Sequence, residues 1–194
     1  MKKCKVCTNI YKPFSTTQCV CSTACAIKHA RLKAQKQADN EFKIRKREFK
    51  ANDIKRQHKL TQSAFNKLRK LQELRWFKER GLEPECISCG KTNMDWCCGH
   101  LKTVGSSSSH RYSEDNTKLQ CNRYCNMGLS GNINGNKTTR GYLQGLVDRF
   151  GKAEAKRITD SLTDEVKKWT CDELTLMRKG FNSEIKRLST KELL

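Results

Sequence analysis

The 194-residue sequence has only two prolines, and residues 14 to 80 contain neither proline nor glycine. Nothing in that stretch forces the chain to turn, and its Lys, Arg, Gln, Ala and Glu content predicts helix. Aromatic residues make up 7% of the chain and hydrophobic residues 36%. That shortage excludes a large single core and allows one modest core or two small ones. No apolar run reaches the roughly eighteen residues that would suggest a membrane span, and Met1-Lys2-Lys3-Cys4 lacks the apolar stretch of a secretory signal. The expectation is a soluble, intracellular protein without a membrane partner. Acidic residues are also scarce, at 20 against 40 Lys and Arg, for a formal charge of +20. Such a surplus implies a polyanionic partner, because neutralised phosphates release condensed counterions. Charge alone does not separate DNA from RNA.

From Lys28 to Arg80 there are 18 Lys and Arg against 6 Asp and Glu, so +12 of the surplus lies here. Apolar positions are sparse at first (Ile27, Phe42, Phe49, with Ile44 and Ala51 a heptad apart). They become denser at Leu60, Ala64, Leu68 and Leu71, so only the later half reads as a packing stripe. Unbroken, the stretch would run about 80 Å at ~1.5 Å per residue, which predicts a break between Asn52 and Thr61 or a partner helix covering it. Gly81 and Pro84 end the helix, and short strands and loops are expected to about Gly141. The serine run Ser106 to Ser109 reads as a mobile tip. Helical spacing returns at Tyr142, Leu143, Leu146, Val147 and Phe150, and Gly151 ends it. Thr170 with Glu173 forms a capping box for a last helix, whose apolar face is Leu174, Met177, Phe181, Ile185 and Leu188.

Eleven of the 12 cysteines fall in two groups, and Cys171 stands alone. In a reducing cytosol such groups favour metal ligation over disulfides. Cys4-x2-Cys7 with Cys21-x3-Cys25 has the spacing of a zinc ribbon or knuckle. Cys19 is the spare thiol, and His29 is an alternative to Cys25. Cys86-x2-Cys89 and Cys121-x3-Cys125 make a second four-sulfur set. A closed zinc of this kind has no open coordination position, so it staples loops together and does no chemistry. About two structural zinc ions per chain are expected. The chain then divides into a zinc module (residues 1–28), a basic helical region (29–80), a zinc-stapled core (81–140) and a helical end (141–194).

Between the halves of the second set lie Trp96-Cys97-Cys98-Gly99-His100 and Asn116, and Asn126 directly follows Cys125. Histidine, asparagine and asparagine bracketed by a zinc staple resemble the HNH, or ββα-metal, nuclease motif. Over the whole chain the order of features is similar to the NinG (Rap) recombination endonuclease family of lambda-type phages. The residues that carry the resemblance are the amino-terminal cysteine pairs before a long basic helix, Cys86-Ile87-Ser88-Cys89-Gly90, Gly99-His100, Asn116, Gln120-Cys121, Cys125-Asn126 and Ser130-Gly131-Asn132. The ending at Asn126 also resembles phage endonuclease VII, a resolvase of branched DNA.

The resemblance implies an α+β, mostly helical fold around a small zinc-stapled ββα-metal core. It also implies a metal-dependent endonuclease acting on Holliday-junction or D-loop DNA in the host cytoplasm. His100 would be the general base, since a neutral imidazole takes a proton near neutral pH. Asn126 would offer an amide oxygen to Mg²⁺ or Mn²⁺, which are hard cations. Asn116 would hold the loop carrying His100 or join the metal shell. Lys102, Arg111, Arg123 and Lys137 would contact the DNA backbone, with His110 a weaker phosphate contact. A symmetric double cut favours a two-fold dimer.

Many HNH sequences carry an acidic ligand immediately before the base, and Gly99 stands there instead. Asp95, Cys97, Cys98 and Asp115 are the nearby substitutes. If none serves, His100 itself becomes a ligand. The rival reading is a non-catalytic zinc protein that binds nucleic acid through a degenerate scaffold; a third is an RNA-binding zinc protein.

Overall fold

The computed structural model describes every residue except Ser106, Asp164 and residues 192–194, and it gives no account of the Lys191 side chain. Ser106 opens the serine run, so that part of the expected tip lies outside the described residues. The chain forms two compact units, Met1–Asn52 and Asp53–Leu194.

The first unit opens on a two-residue pair of antiparallel strands, β1 (Lys2–Lys3) and β2 (Ile10–Tyr11). Helix α1 (Thr23–Asn52) follows and has no buried residue. Ile27, Phe42 and Phe49 are exposed on it, as the sparse apolar spacing predicts. Cys4 is the only buried residue described in this unit, so no apolar core holds it together.

The predicted break falls at Asp53. Its backbone is extended and its Oδ1 accepts the Arg56 N–H at 3.1 Å, capping α2 (Ile54–Glu79). The buried face of α2 includes Phe65, Leu68 and Phe77. Against it lies the last helix, α5 (Cys171–Lys191), with Leu174 wholly buried and Ile185 and Leu188 beside Leu68. The capping box at its start is formed as expected. The Glu173 N–H donates to Thr170 Oγ1 at 3.1 Å, and Thr170 N–H donates to Glu173 Oε2 at 2.8 Å. Trp169, Met177 and Phe181 close a cluster around Phe65, Tyr112 and Leu174.

Between these helices lies the antiparallel pair β3 (Trp96–His100) and β4 (Thr117–Cys121), in the register Trp96↔Cys121 to His100↔Thr117. Every residue of β4 is buried. A π-helix at Asn122–Gly128 leaves the end of β4 directly. Helix α3 (Gly141–Phe150) is the one expected, and Gly151, at φ 83°, ends it. Helix α4 (Lys152–Ser161) is additional to the sequence expectation, and its Ala155 and Ile158 join Tyr142, Leu146, Ile87 and Leu101 in a second apolar cluster. The fold is thus mostly helical α+β with two small sheets.

An ionic network ties these layers together. Arg69 and Arg149, both with nearly buried side chains, converge on Glu73 at 3.2 and 3.1 Å. Glu73 Oε2 also accepts the Leu119 N–H at 3.0 Å. Glu73 is therefore compensated on both sides, as a buried carboxylate requires.

Candidate metal centres and cleavage site

Two sets of four cysteines have their sulfurs within 4.8 Å of one another: Cys4, Cys7, Cys21 and Cys25 in the first unit, and Cys86, Cys89, Cys121 and Cys125 in the second. Sulfurs around one tetrahedral zinc stand roughly 3.8 Å apart, given Zn–S bonds of ~2.3 Å. The observed separations of 3.4 Å (Cys7 to Cys21), 3.7 Å (Cys21 to Cys25) and 3.8 Å (Cys89 to Cys121) fit that ion. Backbone donors favour the thiolate at one cysteine of each set, whereas hydrogen bonding with Cys7 pushes Cys21 up to about 12 and burial pushes Cys89 up to about 11 and Cys125 higher still. Cys4 is pulled down to about 6, first by hydrogen bonding from the Cys7 backbone. At Cys86 burial pushes the pKa up, but donors from the Cys121, Cys89 and Ser88 backbone leave it lowered overall. Two metal ions such as zinc can be held, by the eight cysteines singled out from spacing. Cys19 and His29 are not in the first set.

The second set is built by the fold around it. Cys86 and Cys89 flank a tight turn closed by the Gly90 N–H to the Cys86 carbonyl at 2.8 Å, and Gly90 adopts φ +69°. Cys121 ends β4 and Cys125 lies one turn into the π-helix, with its N–H donating to the Cys121 sulfur at 3.4 Å. An ion held by this set would therefore fix the start of the π-helix, and with it Asn126.

Asn126 and His100 line one cavity of about 290 Å³, together with Thr103, Val104, Ser130 and Gly131. The imidazole packs against the Phe65 ring at 6.5 Å between centroids, and its Nε2 lies 3.4 Å from the Gln62 amide nitrogen. Burial lowers the His100 pKa; hydrogen bonding to the Arg111 and Cys98 backbone opposes the shift without reversing it. The ring is consequently neutral at pH 7 and able to accept a proton.

Asn116 does not line that cavity. It is fully buried, accepts the Lys102 N–H at 2.7 Å, and donates to the carbonyls of Lys102 and His110 at 3.0 Å each. Those bonds clamp the loop that follows His100. The four basic residues singled out for DNA divide. Arg123 and Lys137 are exposed, whereas Lys102 and Arg111 are half-buried. Arg111 donates to Gln62 Oε1 at 2.9 Å, so it orients the residue beside His100. His110 lies 3.4 Å from Thr163. Gln62, Thr103 and Val104 escaped the sequence reading, since a glutamine on a basic helix and small residues in a loop carry no spacing signal, whereas Ser130 and Gly131 were named there only as part of the family resemblance.

The residues near Gly99 are already engaged. Asp115 pairs with Arg157 at 2.9 Å and accepts from Ser161, and the Arg157 hydrogen bonds hold its carboxyl below the usual range. Asp95 accepts from Asn122 at 3.2 Å. Cys97 donates to the Gln120 carbonyl at 3.3 Å, and burial pushes Cys97 and Cys98 up to about 12 each. Gly99 itself has no room for a side chain, because its Cβ would meet Gln120 Cβ at 2.7 Å and Cδ at 2.8 Å.

Comparison with known proteins settles the family. The family described as "Bacteriophage Lambda NinG protein" matches residues 1–192. The chain belongs to the NinG family. Protein ninG of Enterobacteria phage H19B is 29% identical to this NinG-family chain over 206 residues, covering 96% of this chain and 93% of that protein. No solved structure matches the chain. Among the described residues, no helix is long and apolar enough to cross a membrane.

Proposed function

We propose that this NinG-family chain is an HNH-type, divalent-metal-dependent endonuclease that hydrolyses phosphodiester bonds in branched or recombination-intermediate DNA. Its zinc-stapled metal site would resemble that of phage endonuclease VII. The observation that carries the reading is the shared cavity. It brings His100, from the end of a strand, and Asn126, from the turn after the zinc staple, to one space in a strongly basic protein.

The residues have complementary parts. His100 accepts the proton of an attacking water, since burial keeps the ring neutral. Gln62, held by Arg111, fixes the ring plane. Asn116 holds the loop that carries Thr103 and Val104 on the cavity wall. Asn126 offers an amide oxygen to Mg²⁺ or Mn²⁺, which when bound would neutralise phosphate charge and favour departure of the 3′ oxygen. Water adds to phosphorus, the bond from phosphorus to the 3′ oxygen breaks, and that oxygen takes a proton. Arg123 and Lys137 remain exposed for the DNA backbone, with α1 a second basic surface. A dimer would suit paired cuts on a symmetric junction.

The test is a purified, zinc-loaded chain with a four-way junction and a linear duplex, with and without Mg²⁺ or Mn²⁺, beside His100→Ala. Cleavage that needs both the metal and His100 supports the proposal; tight binding without cutting under either metal sinks it. The second reading, a non-catalytic zinc protein that binds nucleic acid, is favoured by Gly99 and by the engagement of Asp95 and Asp115.

A further inference from the structure

Helix α1 runs for 30 residues and buries none of them. Residues 30–52 are all exposed, and Ile27, Phe42 and Phe49 are 52%, 61% and 76% accessible. Helices in proteins owe most of their stability to the packing of one apolar face, so the arrangement of these side chains matters. Ile27, Ala38 and Phe49 stand eleven residues apart, and Ala34 and Phe42 lie four residues either side of Ala38. Eleven residues close three helical turns, which keeps all five on one narrow stripe along the helix, with Arg31 and Arg45 between them. Lys33, Lys36, Lys43, Arg47 and Lys50 project from the opposite half.

The stripe has the same spacing read from either end, with Ala38 at its centre. Laid end for end against a second copy, it sets each Phe42 opposite an Ala34 and each Phe49 opposite an Ile27, so that a large side chain meets a smaller one throughout. A parallel pair would set each phenylalanine against its own copy and hold the helices apart, leaving voids at Ala34 and Ala38. The charges on the stripe favour the same register. Arg45 has Glu41 and Glu48 within a turn on its own helix, whereas Arg31 has no acid three or four residues away. The antiparallel register brings Glu48 of the second copy to within one turn of Arg31.

We propose that α1 is the interface of a two-fold dimer, its stripe packed antiparallel on the same stripe of a second copy of this chain about Ala38, with the basic half of each helix left outward for a polyanion. The inference goes beyond the nuclease reading and holds equally for a chain that binds nucleic acid without cutting it. A two-fold axis through Ala38 makes every contact occur twice. The helix carries 9 Lys and Arg against 3 Asp and Glu, so two copies repel each other at long range. Screening by salt therefore strengthens this pairing while it weakens the binding of nucleic acid.

The experiment is sedimentation equilibrium of the zinc-loaded full chain at several salt concentrations, for the native sequence, Phe42→Ala, the exchanged pair Ala34→Phe with Phe42→Ala, and Ile44→Ala. Ile44 is exposed but lies off the stripe. The expected result is a native dimer that tightens as salt rises. Its dissociation constant should rise at least tenfold in Phe42→Ala, which opens two voids per dimer. It should return to within about threefold of native in the exchanged pair, which restores one large and one small side chain at each contact, and should hold to within about threefold in Ile44→Ala. A monomeric native chain overturns the proposal, as does native dimerisation in Phe42→Ala. An exchanged pair no tighter than Phe42→Ala overturns the antiparallel register. Zinc content and circular dichroism report whether each variant folds. Should the exchanged chain not fold, isotope-filtered nuclear Overhauser contacts in a mixture of labelled and unlabelled native chains decide: a contact between the Ala34 methyl and the Phe42 ring of different copies supports the pairing, and its absence overturns it. A chain that stays monomeric yet loses junction affinity in Phe42→Ala gives the stripe to DNA and overturns the proposal too.

Discussion

At the residue scale, His100 sets the pH behaviour. Burial lowers its pKa from 6.5, so between the lowered value and 6.5 the unfolded chain holds a proton that the folded chain does not. Stability contributed by the neutral ring is therefore fully present above about pH 6.5 and is lost as the pH falls from there through the lowered folded-state value. On the proposed nuclease reading, the same lowering would keep the ring able to accept a proton in mildly acid solution. Junction cleavage measured as kcat/KM should fall on an acid limb whose midpoint lies below 6.5, and a midpoint above 7 would contradict the role given to this ring. Asn116 acts differently. Its replacement by alanine removes three hydrogen bonds to the backbone of Lys102 and His110, and the expected loss is about 2–4 kcal/mol in denaturant unfolding. Nuclease activity should then recover in part at lower temperature if the clamp is all it supplies.

At the element scale, α2 and α5 form the main helical packing of the second unit. Leu174 is wholly buried, and its carbonyl accepts the Thr61 hydroxyl at 2.9 Å. Leu174→Ala should cost about 2–5 kcal/mol in unfolding experiments, whereas Leu176→Ala, on an exposed face, should stay within about 0.5 kcal/mol. These helices were legible in the sequence because capping and spacing are local: Thr170 with Glu173, and Leu174, Met177 and Phe181 on one stripe. Helix α4 was not, since Ala155, Ile158 and Leu162 form a short stripe between polar residues. The break at Asp53 was bracketed but not placed, because an aspartate marks a cap only where the backbone before it leaves the helix. The eight cysteines could be read from spacing alone. Gln62 and Gln120 could not, because what makes them matter is a cross-chain neighbour, His100 for one and Gly99 for the other, and sequence separation hides both.

At the scale of the whole molecule, the two units owe their order to different forces. Residues 1–52 contain Cys4 as their only described buried residue, so a metal ion held by the first cysteine set would be the main term offsetting chain entropy there. The second unit adds three apolar clusters and the Glu73 ionic network to its own sulfur site. Stepwise addition of a chelator should release zinc in two phases. The first should abolish the ordered amide signals of residues 1–22, and the packed helices of the second unit should persist beyond it. Simultaneous loss of both would show that the units are not independently held. Binding to a junction should also weaken steeply with salt, and reversing the exposed pair by Arg123→Glu and Lys137→Glu should flatten the slope of log affinity against log salt by about 1–2.

The interlock of Gly99 with Gln120 bears on which substitutions the chain tolerates. Any side chain added at 99 meets an obstacle in place, and trimming 120 alone opens a void beside Gly99. A single change on either side should therefore cost stability, and the two positions should tolerate change best together, with a larger residue at 99 matched by a smaller one at 120.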